Sequence, residues 1–201
     1  MAINLNKGGD QHKIDLTKGG SGGKITVHAN LNWNQEVKGG GFFSKLLGGG
    51  SAPDLDLGCM LELQTGQIMC IQPLGNSFGS KTSSPFVYLD KDDRTGESKD
   101  GENMFILQPD IVKRVMFFAL IYQGAPNFQS VGGHMTFKIS NGEVVTLSLN
   151  NPDSSSKFCA AALFENHKGE FVLTKEEKYF AGHEAADKHY KFGFKWTAGH
   201  K

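Results

Sequence analysis

Over residues 24–33 the chain alternates strictly, with Ile25, Val27, Ala29, Leu31 and Trp33 on one parity and polar residues on the other. A period of two held over that length predicts a half-buried strand. The same period recurs over 13–17. Over 56–62 it sets Leu57, Cys59 and Leu61 on one face, and Thr65-Gly66 then turns the chain into a returning strand at 67–71. Shorter strands are predicted at 85–89 and 104–107. Pro109 opens what reads as one helical turn at 109–113. The run 115–122 is continuously apolar, as a central strand buried on both faces requires, and is too short to span a bilayer. Residues 133–140 and 143–149 alternate on either side of Asn141-Gly142, the strongest short hairpin signal. Two further strands, 158–165 and 170–173, are joined near His167-Lys168-Gly169. Residues 183–190 form the one stretch predicted to be helical, short and peripheral.

Many short strands punctuated by turns predict a mostly β protein, a β-sandwich of two sheets with short peripheral helices. One domain over 1–201 accommodates it, with a glycine-rich insertion at about 38–50. In that insertion Gly39-Gly40-Gly41 and Gly48-Gly49-Gly50 flank Phe42, Phe43, Leu46 and Leu47. The apolar centre has the spacing of one helical turn, but the flanking glycines favour a loop or arm.

Composition changes this picture little. Glycine is frequent (26 residues), and 15 phenylalanines outnumber 4 tyrosines and 2 tryptophans, in keeping with half-buried strands. A formal net charge of +0 argues against a strongly electrostatic partner such as nucleic acid or an anionic membrane. The first residues lack a charged start followed by an apolar run, so no signal peptide is read there, and a soluble, cytoplasmic protein without an integral membrane segment is expected. Cys59, Cys70 and Cys159 make neither a disulfide framework nor a zinc spacing, and Cys59 and Cys70 are read as small core residues. The seven histidines are scattered. His28 and His134 stand on outward strand positions, His183 and His189 do not share a helical face, and all are read as surface residues. Gly19-Gly20-Ser21-Gly22-Gly23-Lys24 lacks the strand–loop–helix setting of a phosphate loop. No nucleophile with a placed base is recognisable, and no carboxylate pair is marked as acid and base, so the chain is not expected to be an enzyme.

One segment carries candidate chemistry. From Asp90 to Asn103 there are six carboxylates and three bases. Asp54 and Asp56, two apart at the head of an earlier strand, point to one face. Crowded carboxylates repel unless a cation offsets them, and calcium suits irregular all-oxygen sites better than magnesium does. Gly96 and Gly101 allow tight backbone turns, while Thr95 and Asn103 offer neutral oxygens. The spacing is not that of an EF-hand: the sixth position from Asp90 is Thr95 and the twelfth is Gly101. The same composition also suits a plain solvated turn, and composition does not choose between the two.

The string Asp92-Asp93-Arg94-Thr95-Gly96-Glu97, followed by Asp100-Gly101-Glu102-Asn103, resembles the acidic loop of the TerD family of bacterial tellurium-resistance and stress proteins. Asn4-Leu5-Asn6-Lys7-Gly8-Gly9, Leu31-Asn32-Trp33-Asn34, Asp54-Leu55-Asp56 and Asn127-Phe128 resemble further motifs of that family, in its order. The resemblance implies a calcium-binding β-sandwich linked to tellurite, oxidative and phage stress. It implies as ligands Asp54, Asp56, Asp92, Asp93, Asp100, Glu102 and Asn103, around two neighbouring ions. Thr95 and Gly96 would offer backbone oxygen, and Asn34 stands where the family has Asp. The second cluster reads Asp-Gly-Glu-Asn rather than Gly-Asp-Asp-Glu, and Tyr122-Gln123 replaces a His-Asp pair. The expected function is non-enzymatic: calcium orders loops at one end of the sandwich for interaction with a partner, other stress-response proteins among the candidates. The alternatives are a calcium-dependent sugar- or membrane-binding module and, less favoured, a metal-dependent hydrolase.

Overall fold

A computed structural model of the protein describes residues 1–17, 24–34, 52–90 and 101–197. The glycine-rich insertion expected at 38–50 lies outside the described residues, as does 91–100 of the acidic segment. Twelve strands are described: β1 (Ala2–Leu5), β2 (Gln11–Asp15), β3 (Val27–Asn32), β4 (Asp54–Leu63), β5 (Ile68–Ile71), β6 (Val87–Leu89), β7 (Glu102–Ile106), β8 (Val112–Gln123), β9 (His134–Ile139), β10 (Val144–Ser148), β11 (Phe158–His167) and β12 (Glu170–Phe180). They form two six-stranded sheets, in the orders β1-β10-β9-β3-β7-β6 and β2-β12-β11-β8-β4-β5. All pairs are antiparallel except β1 with β10. The mostly β sandwich expected from the alternation is thus the observed architecture. Among the described residues no helix is long and apolar enough to cross a membrane.

The parity read in the sequence is the parity of burial. Ile25, Val27, Ala29, Leu31 and Trp33 are all buried in the interior between the sheets, as are Leu55, Leu57, Cys59 and Leu61 of β4. The interior phenylalanines meet edge to face: Phe137 lies 4.9 Å from Phe164, and Phe117 lies 5.1 Å from Phe137. Rings at this spacing add about 0.5–1.5 kcal/mol per pair beyond the area they bury. That geometry gives the abundance of phenylalanine a use.

Among the described residues there are two α-helices, α1 (Phe128–Val131) and α2 (His183–Tyr190). Only α2 is expected from periodicity, since a single turn such as α1 is too short to show a period. Asn127 caps α1, its side chain accepting from the Ser130 N–H at 2.9 Å, and Phe128 enters the core with no exposed surface. The Asn-Phe motif therefore serves the fold. The Asn6–Gly9 motif does so too. The Asp10 carboxylate accepts from the Asn6 and Lys7 N–H groups at 2.9 Å each, and these bonds hold it below the usual carboxylate range. The Lys175 ammonium, 1% exposed, donates to the Asn6 carbonyl at 3.1 Å and pairs with Glu177 at 2.8 Å.

Helix α2 covers the outer face of the second sheet. Met60, Met116, Phe118, Phe158 and Ala160 of that face pack with Ala186, Tyr190 and Phe192 in a second apolar cluster. The Arg114 guanidinium closes the helix end by donating to the Tyr190 and Lys191 carbonyls at 2.8 and 3.0 Å. The segment after α2 is clamped by the buried Asp187, whose carboxylate accepts from the Gly193 and Phe194 N–H groups and the Trp196 indole.

Candidate functional site

Strand ends converge at one end of the sandwich. The C-terminal end of β3 meets the N-terminal ends of β7 and β9, with Leu31 opposite Glu102 and Asn32 opposite His134. In the other sheet Asp54, at the head of β4, is the register partner of Gln123 at the tail of β8. The Trp33 indole N–H donates to the Pro53 carbonyl at 3.0 Å and ties the two sheets together one residue before Asp54. The acidic segment closes here as well, because the Asp90 N–H donates to the Asn103 carbonyl at 2.8 Å.

Asp54 and Asp56 are buried, 3% and 1% exposed. A bulge against β8 falls between Asp54 and Leu55. Glu102 is fully buried and comes from the opposite sheet. β5 pairs with β4 only over Cys59–Glu62, so β4 has no β5 partner along 54–58. There the Leu57 N–H donates to Glu102 Oε2 at 2.5 Å. A carboxylate thus serves as the hydrogen-bond partner that a neighbouring strand would otherwise supply. Gly101, just before Glu102, has φ +63°, and a Cβ there would lie 2.1 Å from the Leu31 carbonyl oxygen. Only glycine lets the chain enter β7 so close to β3.

The expected ligands do not all share one orientation. Alternation turns Glu102 inward and Asn103 outward. Asn103 Oδ1 accepts from His28 Nε2 at 2.7 Å and from the Asn30 amide at 3.0 Å, on the outer face of the first sheet. Asn34 is exposed, and its N–H donates to the Val131 carbonyl at 2.7 Å, at the corner after α1. Its amide nitrogen lies 2.7 Å from where a Cβ on Gly132 would stand. Tyr122, 46% exposed, and Gln123 end β8 beside Asp54. Asp92, Asp93, Thr95, Gly96 and Asp100 lie outside the described residues. Among the described residues no three of His, Cys, Asp and Glu are grouped so as to hold a metal ion. The fit to calcium therefore rests on donor type: Asp54, Asp56 and Glu102 are hard oxygen donors, buried and drawn from both sheets, and segment 91–100 would have to complete the set.

Two readings of single residues are corrected, the surface reading of His183 and the core reading of Cys70. His183 is not a surface histidine. Its ring lies 5.2 Å from Phe118 and 5.0 Å from Phe158, its Nε2 meets Gln72 Oε1 at 2.6 Å, and burial pushes its pKa down to about 4. His28 does face outward but does not stand alone, because it stacks on Phe105 at 4.5 Å. Cys59 and Cys159 are core residues, whereas Cys70 is half-buried. Burial raises all three thiols, Cys70 to about 12, so they stay protonated.

A cavity of about 540 Å³ beside α2, lined by His183, Glu184, Lys188 and Trp196 among others, has no signal in the sequence. The Lys175–Glu177 pair, also unread there, did have one: a lysine at a core parity of β12, two residues after Leu173.

No protein-family model matches the chain. Tellurium resistance protein TerA of Alcaligenes sp is 35% identical over 190 residues, which cover 94% of this chain and 56% of that protein. Stress response protein SCP2 of Bacillus subtilis (strain 168) is 30% identical over 190 residues, covering 92% of this chain and 88% of that protein. This chain therefore spans little more than half the length of the first relative and most of the second. At these levels of identity and coverage, the chain belongs to the Ter-type family of tellurium-resistance and stress-response proteins.

Proposed function

We propose that the protein is a non-enzymatic calcium-binding stress-response protein of the tellurium-resistance type. In this reading Asp54, Asp56 and Glu102, divided between two neighbouring calcium ions, hold them with Asp92, Asp93 and Asp100 of the acidic segment. The observation that carries it is the burial of Asp54 and Asp56, at 3% and 1% exposure, at the end of the sandwich where that segment closes. Buried carboxylates are expensive and are kept where a positive charge offsets them. Calcium, when bound, supplies that charge. Asp54 and Asp56 keep their carboxylates at the head of β4, and Glu102 brings the first sheet to the second. Gly101 sets the turn that delivers Glu102. An acidic segment ordered in this way would form the surface offered to a partner protein of the same stress response.

Isothermal titration of chelator-treated protein with calcium is expected to release or absorb heat saturably and to raise the melting temperature. At free calcium about 100-fold above Kd the gain is about 2.7 kcal/mol. Asp92→Ala and Asp56→Asn should each weaken binding by about tenfold or more, equivalent to at least about 1.4 kcal/mol. Absence of both heat and thermal shift at millimolar calcium sinks the proposal.

A further inference from the structure

We propose that Asn103 is a positioning residue, and that a latch of His28, Asn30 and Asn103 on the outer face of the first sheet holds Glu102 in place inside the sandwich. Its bearing on calcium rests on the reading proposed above; the placement of Glu102 does not.

Glu102 and Asn103 are neighbours in β7 with opposite orientations. Whatever fixes one side chain outward fixes the other inward. Asn103 is fixed by two donors converging on one oxygen, His28 Nε2 at 2.7 Å and Asn30 Nδ2 at 3.0 Å. The Asn30 amide donates to this atom, which is therefore the amide oxygen, and an oxygen acceptor assigns the His28 proton to Nε2. The Asn30 amide also reaches the Glu102 carbonyl at 3.4 Å and so spans the peptide between the two residues. Asn30 is the register partner of Asn103, and His28 that of Phe105.

His28 is itself held. Its ring lies 4.5 Å from Phe105 at 6° between planes, Phe105 lies 5.0 Å from Tyr88, and the Lys81 ammonium caps the row 4.5 Å from the Tyr88 centroid. The rings come from adjacent strands, at a spacing set by the strands themselves. This row fixes β3, β7 and β6 in one register on the outer face. Inside, the readout of that register is the Leu57 N–H, which finds Glu102 Oε2 at 2.5 Å. A slip of one residue would exchange Glu102 for Asn103 and leave Leu57 without its carboxylate.

The test reads Leu57 amide hydrogen exchange in chelator-treated protein, with the Val172 amide of β12 as the control for global stability. Calcium affinity by titration is the second readout. His28→Phe keeps a ring against Phe105 and removes one donor; Asn103→Ala removes the acceptor; Asn103→Asp keeps an acceptor for both donors. Leu57 exchange should quicken by about two- to tenfold in His28→Phe, the range one hydrogen bond covers, and by more in Asn103→Ala. Asn103→Asp should stay near wild type, and Val172 should be unchanged throughout. Calcium affinity should fall in the same order, with the His28→Phe and Asn103→Ala effects less than additive in the double variant. Unchanged Leu57 exchange in both His28→Phe and Asn103→Ala overturns the latch. Loss of calcium affinity in Asn103→Ala with none in His28→Phe also overturns it, because Asn103 would then be a ligand. If wild-type protein binds no calcium, the calcium reading fails while Leu57 exchange still decides the latch.

Discussion

The two sheets have the same number of strands and opposite outer faces. The outer face of the second sheet is roofed: Met60, Met116, Phe118 and Phe158 lie under α2 and the segment clamped by Asp187. The outer face of the first sheet carries His28, Asn30, Thr136 and Phe105 instead, half-buried in cross-strand rows. Apolar area holds the roof, and directional contacts hold the rows. The difference shows in the sequence. Residues 115–121 of β8 read as an unbroken apolar run because both faces are covered there, while β3 and β9 alternate because only one is.

The contrast breaks most sharply at Phe118. Its ring fills the space where a Cβ on Gly58 would stand and meets Phe158 at 4.6 Å. Phe118→Ala should cost about 3–5 kcal/mol in urea denaturation, the range for truncating a buried aromatic. A loss below about 1 kcal/mol would mean the roof is not a packed layer.

Next comes a pH effect confined to the roof. His183 has a folded pKa of about 4, below its ordinary value near 6.5, because burial disfavours the charged ring. The unfolded chain then binds the proton first. The stability that neutral His183 contributes is complete above about pH 6.5 and is lost as pH falls towards 4. His183→Phe should lose less melting temperature than wild type between pH 7 and pH 4. Parallel curves for the two proteins would show that His183 titrates as a surface group.

The smallest effect belongs to the open face. Lys81→Ala removes a cation from the Tyr88 ring and should cost about 0.5–1 kcal/mol at such a site, with the aromatic row intact by amide exchange. A cost matching that of Phe118→Ala would erase the distinction between the two faces.

Much of the fold was legible because strand parity is a local property. The 24–33 alternation, the Asn141-Gly142 hairpin and the long apolar strand all appear where the pattern places them. β1 (Ala2–Leu5) was missed because its partner β10 lies far along the sequence and no local turn marks it, whereas the equally short β5 follows a turn from β4. The helical α1 was missed because a single turn is too short to show a period. Of the candidate site, the crowding of acidic residues was legible; the burial of Asp54 and Asp56, and the bulge between Asp54 and Leu55 that interrupts their parity, were not. The roles of Asn127 and Lys7 in holding the fold were not, since a motif does not say whether it serves chemistry or capping.

By itself the sequence determined which residues face inward on each strand, where the hairpins turn and that one stretch is crowded with carboxylates. Those follow from backbone period and turn chemistry over a few residues. Only the tertiary structure decided that Glu102 from one sheet supplies the hydrogen bond missing from β4 of the other, that Asn103 turns away to His28 and Asn30, and that His183 at the start of the roof helix packs onto Phe118 and Phe158. Each of these depends on which strands become neighbours. That choice is made by the packing of two sheets around a shared core, which no local period encodes.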